Sequence, residues 1–293
     1  MPAKNGCVGL DIGGTKILMM ISSNERIIYE RQVPSDSRVE KLFALIDEGV
    51  EKSGVTDIEA IAAGVPGIIS RDGQEVVDAP ALGWRSLRLL EMIRTKYRCP
   101  CAVDNDVTMA MTAEMGQGVL KGKHNGIMIT IGTGLGCSIL TNGSIVHGDN
   151  NSAGEIGYCN FCDCGQTSLM NKAGAFGSLE SQLSGSYLHQ AALSLGADPK
   201  LLLSSPCTPE EKDVSDSFLS LLAVTIANLV NILDPGVVVL GGGVAESLKD
   251  ILPRLEDRVR ECTPIPVKIH LSDFLNRAGA IGACIRAEAL GAS

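Results

Sequence analysis

Asp11-Ile12-Gly13-Gly14-Thr15-Lys16 sits between two apolar runs, Val8 to Leu10 and Ile17 to Ile21. A Gly-Gly pair flanked in this way reads as a tight turn between two strands. Without Cβ atoms, such a turn lets backbone N–H groups approach an anion closely. Thr15 adds a hydroxyl, Lys16 a cation, and Asp11 a carboxylate able to hold Mg²⁺ directly or through water. These are the parts of a nucleotide-phosphate cradle, although one copy alone also fits an ordinary hairpin with solvated polar residues. A second copy weakens the plain hairpin. Met128 to Leu140 repeats the layout as apolar strand, Gly132-Thr133-Gly134 turn and apolar strand. Both copies then reach an Asn turn and a further strand: Ser23-Asn24 before Arg26 to Tyr29, and Asn142-Gly143 before Ile145-Val146. Two such hairpins, each opening an α/β half, point to two related domains facing one nucleotide as the expected plan.

Gly132-x-Gly134-x-Gly136 also invites a dinucleotide-binding reading. That fingerprint requires a helix after the glycines and a different spacing. Cys137 to Val146 continues in strand-and-turn character instead, so the alternative is set aside.

A length of 293 residues suits two domains of ordinary size, and 45% hydrophobic content supports real cores. The net charge of −9 offers no basic patch for nucleic acid. No apolar run approaches the roughly 20 residues needed to span a bilayer, and the N-terminus passes straight into the first strand, leaving no room for a signal peptide. Ten cysteines in such a chain read as reduced thiols or metal ligands rather than a disulfide framework. A cytoplasmic protein with no membrane and no nucleic-acid partner is expected.

The capping-box spacing of Ser37-Arg-Val-Glu40 predicts a helix over Leu42 to Val50, ended by Gly54. Ile58 to Val65 reads as a buried strand running into Gly64-Val-Pro-Gly67, Leu87 to Tyr97 as a helix, and Cys101 to Val103 as a strand. The second half is expected to hold a long apolar helix from Val214 to Leu233 and a strand from Val237 to Leu240 leading into Gly241-Gly242-Gly243. Helix Pro253 to Glu261, strand Val267 to Leu271 and helix Ala278 to Leu290 follow; Ser204 to Pro209 reads as a surface loop and the charges after it as a solvated helix start. Gly279 and Gly282 suit close packing of that last helix.

Asp104-Asn105-Asp106 falls where a strand ends and a helix, Val107 to Gly116, begins. An isolated Asp there is an N-cap. Phosphoryl transfer to a hydroxyl, however, needs a carboxylate to take the hydroxyl proton. The carboxyl end of a strand is also where α/β sheets place their ligand crevices. Asp106 therefore suits a general base, with Asn105 beside it to orient a sugar.

The chain resembles the ROK family (repressor, open reading frame, kinase) of sugar kinases. The resemblance is carried in family order by Asp11 to Lys16, Gly64 to Gly67, Asn105-Asp106, Gly132 to Gly134, Gly154-Glu155-Ile156-Gly157, Leu179-Glu180, Gly241 to Val244 and Asn276 to Ile281. It implies an α/β, two-domain actin-like (ribonuclease H-like) ATPase fold with an interdomain cleft. The domains expected are residues 1–107, completed by helix 278–293, and residues 108–277. The resemblance assigns ATP phosphates and Mg²⁺ to the Asp11–Lys16 and Gly132–Gly134 hairpins. It assigns adenosine to Gly241, Gly242 and Gly243, with the following helix N-terminus near phosphate. Asn105, Asp106, Glu155 and Glu180 would bind sugar hydroxyls, and Gly67 would let backbone approach the sugar. A homodimer is implied as well.

Family members usually carry a zinc motif: a His three residues after the Glu of Gly-Glu-x-Gly, then Cys-x-Cys-Gly-x-x-Gly-Cys-x-Glu. Here Tyr158 takes the His position and Ser178 the third Cys position, while Cys162-Asp-Cys164 keeps the pair. Cys159 offers a replacement thiolate, with His147, His189 or a water as a fourth ligand. Structural zinc on Cys159, Cys162 and Cys164 is one reading, and a vestigial or redox-sensitive cluster is the other. Because the family His also touches the sugar, Tyr158 leaves the sugar open: glucose, mannose, fructose, allose, N-acetylmannosamine or N-acetylglucosamine. The function expected is ATP-dependent phosphorylation of a hexose or N-acylhexosamine, at the 6-hydroxyl. A sugar-binding regulator of the same family and an actin- or chaperone-like ATPase are the alternatives. Repressors of the family carry a helix-turn-helix ahead of the kinase-like part, and the hairpin starting at Val8 leaves no room for one.

Overall fold

The computed structural model describes residues 4–160, 171 and 177–292. The expected zinc ligands Cys162 and Cys164 lie outside the described residues. In chain order the first elements are β1 (Asn5–Ile12), β2 (Lys16–Ser23), β3 (Arg26–Pro34), α1 (Val39–Ser53) and β4 (Asp57–Val65). Next come β5 (Ile68–Ile69), β6 (Val76–Ala79), β7 (Trp84–Leu87), α2 (Leu89–Tyr97), β8 (Cys101–Asn105) and α3 (Asp106–Gln117). The later elements are β9 (Gly126–Ile131), β10 (Leu135–Thr141), β11 (Ser144–Ile145), α4 (Gly185–Leu195), α5 (Pro209–Leu233), β12 (Val237–Gly241), α6 (Leu252–Cys262), β13 (Lys268–Leu271) and α7 (Ala278–Gly291).

The chain divides into two compact units, one of residues 4–121, 147–153 and 277–292, the other of residues 122–146 and 154–276. The first unit runs through α3, past the boundary expected at residue 107, because α3 packs against α7 and β4. Each unit is built on a five-stranded sheet with the same plan. The strand orders are β3-β2-β1-β4-β8 and β11-β10-β9-β12-β13, each a three-stranded antiparallel meander followed by two parallel strands. The repeat read from the two glycine hairpins is thus a repeat of whole sheets. Both meanders turn through left-handed residues, Asn24-Glu25 at φ 50° and 59° and Asn142-Gly143 at 51° and 78°, as a type I′ turn requires.

Alternation along β1 explains how the first unit is layered. Val8, Leu10 and Ile12 share one face and are buried against the α1–α2 side with Leu42, Ile46 and Ile93. Cys7 and Gly9 share the other face with Asp11, and that face is lined with small residues. Ala60 and Ala62 of β4 and Ala283 and Ala287 of α7 pack there with Met109 of α3. Small side chains let α7 come down onto the sheet: a Cβ on Gly9 would lie 2.6 Å from Cys284 Sγ, and one on Gly282 would overlap Met109 O. A mid-helix glycine costs roughly 0.5–1 kcal/mol relative to alanine, and close packing of α7 on α3 offsets it.

The second core gathers Ile127, Ile129 and Ile131 of β9, Val238 and Leu240 of β12, and a stripe of α5 running from Phe218 to Val230. Against the expectation that no span-length apolar helix exists, α5 is long and apolar enough to cross a membrane by length and composition alone. It reaches that composition because its buried stripe, Phe218, Leu219, Leu222, Ala223, Ile226 and Val230, is the centre of this core.

Several local expectations are corrected. Ser37 does not cap α1, whose N-cap is Arg38 without a side-chain hydrogen bond; the Ser37 carbonyl instead accepts from Trp84 Nε1 at 2.6 Å. Gly54 closes α1 in the left-handed region at φ 71°. The small sheet β5–β6–β7 and helix α4 have no counterpart in the sequence reading. Helix α5 starts at Pro209, so the charged residues after it are the solvated helix start ahead of the apolar Val214–Leu233 run: Thr208 Oγ1 accepts from Glu211 N at 3.2 Å while Glu211 Oε2 accepts from Cys207 N at 2.6 Å. That Thr-x-x-Glu bracket was legible in the sequence.

Candidate active site

In the first unit, the turn between β1 and β2 closes on itself, with Gly13 N donating to Lys16 O at 2.9 Å. Ser35, just past β3, secures it twice: its Oγ donates to Gly13 O at 2.5 Å and its N–H to Thr15 O at 3.1 Å. A Cβ on Gly14 would come within 2.8 Å of Ala81 Cβ, so the second glycine lets the turn pack against Ala81. Asp11, on the small-residue face at the end of β1, meets the first turn of α7. A Cβ on Gly279 would lie 2.6–2.9 Å from all three carboxyl atoms of Asp11.

Asp106 opens α3 directly after β8. Asn105 is the N-cap: its Oδ1 accepts from Val107 N at 2.8 Å, and its Nδ2 donates to Gly67 O at 3.1 Å. Gly67 has φ 99°, and a Cβ there would overlap Asp78 O. One asparagine therefore caps the helix that carries Asp106 and fixes the Gly67 turn beside it. Burial pushes the Asp11 carboxyl from the ordinary 3.8 up to about 7; the carboxylate of Asp106 adds to the rise, and Lys16 opposes it. The hairpin and the acid on α3 thus share one electrostatic environment. A divalent cation would relieve that repulsion, so the residues fit Mg²⁺ held by Asp11.

Residues that sequence reasoning missed brace this wall. Asn151, at φ 55°, donates from Nδ2 to Ile69 O at 3.1 Å, and its Oδ1 meets His147 Nδ1 at 3.0 Å. Asp104 is held up in pKa chiefly by burial, opposed by the Asn105 N–H, His147, Arg286 and the Asn151 side chain. No motif marks Asn151 in the sequence.

In the second unit, Gly132 N donates to Gly134 O at 3.0 Å, closing the turn between β9 and β10. The start of α4 holds its carbonyls, with Gly185 N on Gly132 O at 2.7 Å and Ser186 Oγ on Thr133 O at 2.6 Å. Gly241 ends β12 opposite Thr130, and Gly242, at φ 84°, lies where a Cβ would be 2.5–2.8 Å from Ile131 backbone. Val244 N then donates to Ile131 O at 2.9 Å. Tertiary structure therefore brings Gly241–Gly243 beside the Gly132–Gly134 turn. The element after Gly243 is a 3-10 turn, Ala245–Ile251, where a helix start was expected, and α6 then follows as the separate helix expected from Pro253.

Glu155 precedes a 3-10 turn, Ile156–Tyr158. Gly154, at φ 91°, brings this segment so close to β10 that a Cβ would overlap Cys137 O. Glu180 returns to it, its N–H donating to Gly157 O at 3.1 Å. Its carboxylate accepts from Leu135 N at 3.0 Å and Gly177 N at 3.4 Å. Burial pushes the Glu180 pKa up and those two N–H groups oppose the rise.

Tyr158 and Ser178, at the two departed zinc positions, are joined by an amide: Asn171 Nδ2 donates to Tyr158 O at 2.7 Å and Asn171 Oδ1 accepts from Ser178 N at 2.9 Å. Cys159 is exposed, and His189 lies exposed on α4. Among the described residues, no group of three or more His, Cys, Asp or Glu is arranged to hold a metal. Of the three expected zinc ligands only Cys159 is among the described residues, and Cys162 and Cys164 lie outside them.

Two repeated sheets, each opening in a glycine hairpin, define the two-domain fold of the actin-like ATPases. A ROK glucokinase from Streptomyces griseus, solved in complex with glucose and AMPPNP, shares it with a TM-score of 0.80 at 24% identity, over 97% of this chain and 99% of that one. The ROK family model matches residues 7–289, and the chain belongs to the ROK family. Glucokinase from Halalkalibacterium halodurans is 31% identical over 94% of this chain and 92% of its own length. N-acetyl-D-glucosamine kinase from Photobacterium profundum is 30% identical over 84% and 87%. A xylose repressor from Caldicellulosiruptor bescii is 25% identical over 95% of this chain and 76% of its own length.

Proposed function

We propose that the chain is an ATP-dependent sugar kinase that phosphorylates a hexose or N-acylhexosamine at its 6-hydroxyl, with Asp106 as general base. The observation that carries the proposal is the placement of Asp106 at the end of β8, in the same electrostatic environment as the Asp11–Lys16 hairpin. The named activities of the glucokinase and N-acetylglucosamine kinase relatives support it.

In the proposed reaction the sugar oxygen forms a bond to the γ-phosphorus, the bond from that phosphorus to the β,γ-bridging oxygen breaks, and ADP leaves. The hydroxyl proton passes to the Asp106 carboxylate, a transfer of the kind that contributes about 10²–10⁴-fold. Thr15, Lys16 and the Gly13-Gly14 and Gly132–Gly134 backbones would hold the phosphates, and Gly241–Gly243 the adenosine. Mg²⁺, when held by Asp11, supplies charge neutralisation on the phosphate oxygens. Asn105, Glu155, Tyr158 and Glu180 would orient the sugar hydroxyls, with Gly67 lending backbone. Tyr158, at the position where the family resemblance implies a His, would offer a phenol of different reach for the same task, and the choice of sugar would depend on the pocket that it, Glu155 and Glu180 shape.

The test is sugar-dependent ADP release from Mg-ATP over a panel of hexoses and N-acylhexosamines. Turnover with one sugar and a fall of about 10²–10⁴-fold in kcat for Asp106→Asn are expected. No turnover with any sugar, from a folded protein that binds ATP, would exclude the kinase and favour a sugar-binding regulator. The similarity to a xylose repressor is the observation that keeps this second function in view.

A further inference from the structure

The Gly132–Gly134 turn is held from two sides. On its carbonyl side are Gly185 and Ser186 at the start of α4. On its amide side, Leu135 N donates to Glu180 Oε1 at 3.0 Å. The other carboxylate oxygen accepts from Gly177 N at 3.4 Å, while Leu179 N and Glu180 N both donate to Gly157 O, at 3.0 and 3.1 Å. Glu180 therefore touches the hairpin with its side chain and the Gly154–Tyr158 segment with its backbone. The fit leaves no slack. A Cβ on Gly134 would overlap Glu180 Oε1, and one on Gly157 would lie 3.2 Å from Glu180 Cβ. A side chain at Gly134 would therefore displace the Glu180 carboxylate from Leu135, and one at Gly157 would press on Glu180 Cβ. A carboxylate oxygen accepting a backbone N–H in a partly buried site makes a stronger bond than a neutral pair, and its loss strands that N–H.

We infer that Glu180 is a positioning residue for the phosphate hairpin: it fixes the Gly134–Leu135 end of the turn against the segment that carries Glu155. The two segments are then shaped as one piece, and nucleotide affinity depends on Glu180 even without sugar. What the hairpin holds rests on the kinase proposal; the bracket itself does not.

The test compares Glu180→Gln, Glu180→Asp and Glu180→Ala in the full chain. Glutamine keeps an oxygen at the same reach, whereas aspartate keeps the charge but withdraws it by one methylene. Without ligand, amide exchange at Leu135 is expected to quicken by about tenfold or more in the Asp and Ala variants and to stay within about threefold of wild type in Gln. Binding of a non-hydrolysable ATP analogue with Mg²⁺ and no sugar is expected to follow the same order. Unchanged Leu135 exchange in a folded Asp variant overturns the inference. So does unchanged analogue affinity alongside a raised sugar KM, since Glu180 would then be a sugar ligand only. If wild type binds no ATP analogue, the kinase proposal falls, and Leu135 exchange alone decides the bracket.

Discussion

Replacing Asp11 by asparagine is expected to stabilise the nucleotide-free protein at alkaline pH, although it removes a residue proposed for Mg²⁺. Burial and the neighbouring Asp106 raise the Asp11 carboxyl from 3.8 to about 7 in the folded state. At about 1.4 kcal/mol per pH unit, ionising Asp11 then opposes folding by on the order of 4 kcal/mol. The sign follows from proton binding. Between about pH 4 and pH 7 the folded chain holds a proton that the unfolded chain has released, so stability falls as pH rises through that window. Above it both states are ionised and the full destabilisation remains; below it both are protonated and it disappears. The amide of the Asp11→Asn variant carries no such charge, so the variant's advantage should grow from near zero at about pH 4 to several kcal/mol at about pH 8. Thermal unfolding at about pH 4.5, 6 and 8 in EDTA reads this directly. Each kcal/mol corresponds to a Tm shift of about 2–4 °C for a chain of this class. Excess Mg²⁺ should raise the Tm of wild type and leave Asp11→Asn unmoved. A difference between the two proteins that does not vary with pH, or a variant less stable at alkaline pH, would refute the electrostatic account of this wall.

Gly67→Ala places a methyl into Asp78 O at φ 99° and should cost on the order of 1–3 kcal/mol in unfolding free energy, with a raised sugar KM, measured by urea titration and steady-state kinetics. Asn151→Gly keeps the left-handed backbone but removes the bonds to Ile69 O and His147; a loss of about 1–2 kcal/mol and faster proteolysis at residues 147–153 are expected, with Asn151→Ala worse because of its φ of 55°.

How much was legible follows a physical line. The hairpins were readable because a Gly-Gly turn between apolar runs is a local signal, and the Asn142-Gly143 turn is another. The helix stop at Gly54 was equally local. Ser37 failed as a cap because a distant residue, Trp84, took its carbonyl, and nothing near Ser37 records that. Helix α4 escaped notice because its face is weakly patterned, with only Leu188 and Ala192 buried. Asn105 was read as a sugar-orienting group; the fold also makes it the clamp on Gly67, a residue far away in sequence. Glu180 likewise came to light as a bracket on Leu135 only through pairing across distant segments.

The chain's own residues dictate the chemistry that this protein carries: two glycine hairpins, a carboxylate where a strand becomes a helix, and small residues along one face of β1 and α7. Those properties depend on residue type and on near neighbours, which the chain states outright. Which of these groups share a field is a matter of tertiary structure. Only the descent of α7 onto β1 sets Gly279 against Asp11, and only the folding of β8 beside β4 brings Asp106 close enough to raise the Asp11 pKa. Coulomb and hydrogen-bond energies depend on distances between residues far apart in the chain, and those distances exist only once the sheets have formed.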